Sequence, residues 1–178
     1  MKCLSENELE YLERITIKLS EVSIYLQQEN FAEYPTKTRY EQFNSLKNLR
    51  RILGNIDNDM SFMGCLLMKE FLQAKHEVPD LNMAAKAQGA PGLDLDVLTL
   101  DGKRIIGELK TTYPYQQHDF GAQQKVGILN DFSKLHRHNA KYKYFFVTEL
   151  KAFNILQAKY SQYLNGVQLV LLGNLPLK

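Results

Sequence analysis

Four side chains near the middle of the chain have the types and spacing to handle a hard cation and a phosphate: Asp94, Asp96, Glu108 and Lys110. Magnesium prefers oxygen ligands and keeps several of its waters, so two or so carboxylates suffice to hold it. An ion held in this way polarises a phosphate and lowers the pKa of a bound water. A lysine alongside is a compact cation that can orient that water or offset the charge growing on the phosphate. The chemistry in view is hydrolysis of a phosphodiester, and it requires the four side chains to converge.

Convergence depends on the strands that carry them. Residues 94–100 alternate apolar and polar, and residues 104–110 follow after Asp101-Gly102, a dipeptide that tolerates the backbone of a tight turn. Side chains alternate across a strand, so Glu108 and Lys110 share one face, as do Asp94 and Asp96. A two-residue loop at Asp101-Gly102 would pair Leu100 with Lys103 and put Glu108 on the face opposite both aspartates. A three-residue loop, Leu100-Asp101-Gly102, pairs Thr99 with Lys103 and Asp94 with Glu108. It also puts Gly102 where a turn with a bulge wants a left-handed residue, so the three-residue loop is expected. Taken singly, the aspartates could be strand-end solubility or turn capping, and Glu108 with Lys110 an exposed ion pair worth little. Ile105, Ile106 and Leu109 mark the second strand as largely buried, and charge in a buried strand needs a reason.

The remaining elements follow from hydrophobic period. Leu9, Leu12, Ile15, Leu19, Val22 and Leu26 recur every three or four residues and predict a helix, which Pro35 and Thr36 end. A second helix is predicted over 38–53, closed near Gly54, and a third over 62–75, with Asn58, Asp59 and Ser61 as candidate caps. Residues 82–88 read as a weak additional strand. Beyond the hairpin come a helix over 121–138, a buried strand over 144–148, a helix over 152–164 and an apolar strand over 167–172. Strands alternating with helices predict an α/β layer fold, with a mixed central sheet flanked by helices.

The 178 residues suit one domain: a helical N-terminal region over 1–57 and a core over 58–178. A net charge of +2 permits nucleic-acid binding without demanding it. Cys3 and Cys65 lack metal-ligand spacing and read as free thiols of a reducing cytosol. With three glutamates and no apolar stretch in the first ten residues, no signal peptide is expected; nor is a membrane span. The expected location is cytoplasmic.

Asp94, followed on the next strand by Glu108-Leu109-Lys110, resembles the signature of the PD-(D/E)XK nuclease superfamily, the fold of most type II restriction endonucleases. The text around it, Gly-Leu-Asp-Leu-Asp-Val and then Gly-Lys-Arg-Ile-Ile-Gly-Glu-Leu-Lys, is similar to members of that group, and the element order over 62–172 is that of its core. The resemblance implies a restriction-endonuclease-like sheet with an N-terminal helical extension. It implies a magnesium site formed by Asp94 or Asp96, Glu108 and the backbone of Leu109, with Lys110 assisting the attacking water. Glu70, on the preceding helix, is the candidate for a further ligand. One departure is Leu93 where such nucleases often carry proline, and the choice between Asp94 and Asp96 stays open.

The activity implied is magnesium-dependent cleavage of double-stranded DNA by a type II restriction enzyme. Alternatives are a repair or recombination nuclease of the same fold, or a non-catalytic DNA-binding subunit. Two strands to cut imply two sites and hence a homodimer, with the N-terminal helices as a source of its interface. Gln124 and Lys125 open the helix that lies beside the site in such nucleases. Lys134, Arg137 and Lys141, interleaved with His and Tyr, form a candidate phosphate-binding patch, with a solvated face as the simpler reading. His118, His136 and His138 lack the surroundings of a histidine-metal nuclease.

Overall fold

The computed structural model describes residues 4–86 and 90–174, and the chain divides into two compact units, one ending at Asp59 and one beginning at Met60. The first unit is helical. Ser5 caps α1 (Glu6–Gln28) and Glu8 reaches back to the Ser5 backbone, a reciprocal box that satisfies two orphan donors. Thr38 and Glu41 do the same for α2 (Arg39–Leu53), which ends at Gly54 with φ +54. The helices run antiparallel: Tyr25 Oη donates to the Ser45 carbonyl at 2.7 Å, while Lys18, two turns earlier, lies beside Gly54.

The third helix, α3 (Ile56–Lys75), starts six residues before the predicted position. Asn55 supplies the cap instead, its Oδ1 accepting from Asn58 N at 3.2 Å, so Asn58, Asp59 and Ser61 are helical.

The second unit holds a four-stranded mixed sheet in the order β1 (Leu95–Leu98), β2 (Arg104–Lys110), β3 (Tyr142–Val147), β4 (Gln168–Leu171). β1 is antiparallel to β2, and the other pairs are parallel. Helix α4 (Ala122–Arg137) connects β2 to β3, and α5 (Leu150–Lys159) lies between β3 and β4. The chain is therefore mixed α/β, with five α-helices among the described residues. The helix predicted over 152–164 ends at Lys159, and its last turn becomes a separate 3-10 turn, Ser161–Leu164. Residues 82–86 form turns rather than the predicted strand; Ala87 and Gln88 lie outside the described residues.

Each face of the sheet carries its own core. Ile105, Leu109, Tyr144 and Phe146 point to one side and pack on Met68 and Leu72 of α3. Ile106, Phe145 and Val147 point to the other and pack on Ile128, Phe132 and Leu135 of α4 and Leu156 of α5. The Phe132 and Phe145 rings stack with centroids 4.4 Å apart.

The hairpin register is that of the three-residue loop. Leu98 pairs with Arg104 and Leu95 with Gly107, Thr99 N donates to Lys103 O at 2.9 Å, and Gly102 N donates to Thr99 O. Gly102 has φ +79, the left-handed conformation its loop position requires.

Candidate active site

Extending that register by one residue sets Asp94 opposite Glu108, at the end of the hairpin away from the turn. Asp94 Oδ2 accepts the Leu109 backbone N–H at 2.9 Å, which fixes its carboxylate against β2. Glu108 is 1% exposed, and its side chain shares with Ile106 the face covered by α4.

Helix α4 carries two parallel stripes. Ile128, Phe132 and Leu135, spaced i, i+4, i+7, enter the core. Gly127, Asp131 and Lys134, one residue behind each, face Lys110 and Glu108. A methyl group added at Gly127 would sit 4.0 Å from Lys110 Nζ. Asp131 Oδ2 lies 2.6 Å from Lys110 Nζ, and Asp131 Oδ1 lies 2.9 Å from Lys134 Nζ. Lys134 Nζ is also 3.3 Å from Glu108 Oε1 and 3.4 Å from Oε2. Asp131 is therefore a bridge holding two ammonium groups, one on each side of it, with Glu108 against the second.

The electrostatics follow from this packing. Burial pushes the Glu108 carboxyl up to about 8, and the neighbouring charges of Asp94 and Asp131 add to the effect more than Lys134 relieves it. At neutral pH and without a cation, Glu108 is thus largely protonated. Burial works against the Lys134 ammonium, but its hydrogen bond to Asp131 and the charges of Asp131 and Glu108 outweigh burial and raise its pKa.

The residues present fit a hard divalent ion. Glu108 Oε1 is buried and receives no hydrogen bond, its contact with Lys134 lacking hydrogen-bond geometry. A buried oxygen left in that state is costly unless something satisfies it. Asp94 and Glu108 offer two oxygen donors, enough for an ion that retains waters. Among the described residues, no three His, Cys, Asp or Glu side chains are gathered as a ready-made cage.

Of the residues singled out from sequence, Asp94, Glu108, Lys110 and Lys134 are brought together. Lys134, read as part of a phosphate-binding patch, sits instead between Glu108 and Asp131. Asp96 shares the Asp94 face, but both its oxygens bind Arg104, at 2.8 and 2.7 Å, so it stays out of the cluster. Leu109 gives its N–H to Asp94 and turns its side chain into the α3 core. Glu70 is on α3, which packs on the opposite face of the sheet, and no ion pair ties it to the cluster among the described residues. Gln124 closes the start of α4, accepting from Gly121 N and donating to Tyr113 O at 3.0 Å. Lys125 pairs with Asp119 at 2.8 Å, and Arg137 donates to Ser133 O. Lys141 is exposed beside Arg104, at the other end of the sheet from Lys110.

Asp131 was not among the residues singled out. Its signal is the Gly127, Asp131, Lys134 stripe running beside the apolar one.

Compared with family models, curated proteins and solved structures, the chain matches none. No helix among the described residues is long and apolar enough to cross a membrane.

Proposed function

We propose that this protein is a magnesium-dependent endonuclease that hydrolyses DNA phosphodiester bonds, a type II restriction enzyme on a restriction-endonuclease-like scaffold. One observation carries the reading: two carboxylates, Asp94 and Glu108, face each other across a hairpin, with Lys110 two residues on and on the same face.

Asp94 and Glu108 would hold the ion. When bound, it would polarise the scissile phosphate and acidify a water at neutral pH. Asp94 is kept in place by the Leu109 N–H. Glu108 would hold the ion as a carboxylate, because an adjacent positive charge reverses the bias that burial imposes. Lys110, seated by Asp131 and 28% exposed, presents its ammonium to the attacking water or to the phosphate. Lys134 would balance the Asp131 charge while no cation is present and Glu108 keeps its proton. The DNA would be double-stranded, the enzyme a homodimer with one site per strand, and its location cytoplasmic.

The test is incubation with unmethylated plasmid and magnesium, beside Lys110→Ala. Discrete bands from the wild type, with a rate about 10²–10³ lower in the variant, support a restriction enzyme. Equal nicking by both proteins, or none by either across many substrates, contradicts the reading.

A further inference from the structure

The connection between β2 and α4 holds two tyrosines in water. Residues 111–120 form neither helix nor strand, yet they are pinned to the core. Pro114 is buried, and its carbonyl accepts from Lys151 Nζ of α5 at 2.8 Å. The Tyr113 carbonyl accepts from the Gln124 amide at 3.0 Å. The same Lys151 ammonium lies 5.0 Å from the centre of the Tyr113 ring, a cation–π contact.

Nothing in the unit that begins at Met60 covers the side chains so placed. Tyr113 is 53% exposed and Tyr115 is 83% exposed. Polar residues would close the same loop without leaving aromatic surface in water. Two tyrosines flanking an inward proline on a pinned loop offer flat faces with little side-chain entropy left to lose.

Position and charge indicate which ligand fits. Gln124 lies on the stripe of Gly127, Asp131 and Lys134, one turn before Gly127, the residue beside Lys110 Nζ. The loop therefore leaves the sheet at Lys110 and is tied back about one helical turn, roughly 5 Å, from it. Lys125 and Lys159 both approach Asp119, at 2.8 and 3.8 Å. Among the described residues Lys151 has no carboxylate partner, so cations outnumber the one acid they meet. A polyanion that carries flat rings suits such a surface, and nucleic acid is that ligand: phosphates meet the cations and unstacked bases meet the rings.

We propose that Tyr115, with Tyr113 beside it, is a stacking platform for an unpaired base next to the phosphate that Lys110 meets. The inference rests on the nuclease reading for its location and names a feature of the substrate at that site: DNA whose bases are unstacked, or easily unstacked, beside the cut. Every base has a π-face, so the platform adds affinity without choosing a sequence. Unstacking costs least at a single strand or a mismatch, and such DNA is bound in preference to a fully paired duplex.

The chain contains no tryptophan, so Tyr115→Trp introduces a single indole at the platform. The experiment titrates the full chain, free of magnesium, with oligothymidylate of about 12 nucleotides, reading indole fluorescence and, with a labelled oligonucleotide, anisotropy. The indole of Tyr115→Trp is expected to be quenched at saturation, and that of Leu100→Trp, a position 69% exposed at the turn end of the hairpin, is expected to be unchanged. Tyr115→Ala is expected to bind about tenfold more weakly with unchanged circular dichroism. Tyr115→Phe should bind like the wild type, and Tyr115→Leu, apolar but without a ring, like the alanine variant. A duplex with a central mismatch should bind more tightly than its fully paired counterpart. No binding, a bound oligonucleotide that leaves the indole of Tyr115→Trp unquenched, full affinity in Tyr115→Ala, or equal affinity for the two duplexes would overturn the proposal. Binding and quenching by a protein that cuts no DNA would keep the platform and end the nuclease reading, and cleavage without the quench would do the reverse.

Discussion

Asp94 and Glu108 lie across from one another where the first hairpin opens. Asp94 is locked onto the Leu109 N–H at 2.9 Å, and its charge helps hold the proton on Glu108. In the proposed reading the pair would have two states, one keeping the proton and one exchanging it for a cation.

Proton release should therefore accompany cation binding. With the Glu108 carboxyl raised to about 8, magnesium competes with a proton below that pH. Apparent affinity should rise about tenfold per unit of pH through the range just below 8 and level off above it. Calorimetry in buffers of different ionisation enthalpy would show close to one proton released at pH 7. A pH-independent affinity would contradict this assignment of the Glu108 proton.

The same group sets a pH dependence of stability in the absence of metal. Its ordinary value is 4.5, and the folded protein holds the proton up to about 8. Between these values the folded state binds more protons than the unfolded state, so stability falls as pH rises. The contribution is fully present below 4.5 and is gone above about 8. Thermal melts should show Tm falling across this window in the wild type and staying flatter in Glu108→Gln.

Asp131 holds both ammonium groups. Asp131→Asn keeps the shape but removes the charge, and about 1–3 kcal/mol of stability should go with it. Cleavage should fall by about 10–100-fold, since Lys110 loses its seat. Denaturant melts and plasmid assays read the two effects separately, and full activity in this variant would remove Asp131 from the site.

The turn fixes the register that brings the carboxylates together. Gly102→Val puts a β-branched residue at φ +79 and should cost about 1–2 kcal/mol. A stability equal to the wild type would mean that the loop relaxes to another conformation. Deeper in, Phe132→Ala removes a ring stacked on Phe145 and should cost about 3–5 kcal/mol.

The hairpin was legible in the sequence because strand parity is arithmetic: once Gly102 takes the third loop position, Asp94 must oppose Glu108. The fate of Asp96 was not, because Arg104 lies diagonally across from it on the neighbouring strand and competes for its carboxylate. Asp131 was hidden for a different reason. The apolar stripe of α4 is plain in the sequence, but which flank of that stripe meets the strand depends on how the helix sits on the sheet. The early start of α3 reflects a choice among Asn55, Asn58, Asp59 and Ser61, any of which has the chemistry of a cap.

Magnesium titration by calorimetry tests the central claim most directly, comparing the wild type with Asp94→Asn, Glu108→Gln and Asp96→Asn at pH 8. One ion should bind the wild type and Asp96→Asn alike, and binding should be lost in Asp94→Asn and Glu108→Gln. Binding that survives in both of those variants, or that vanishes in Asp96→Asn alone, would contradict a cation held between Asp94 and Glu108.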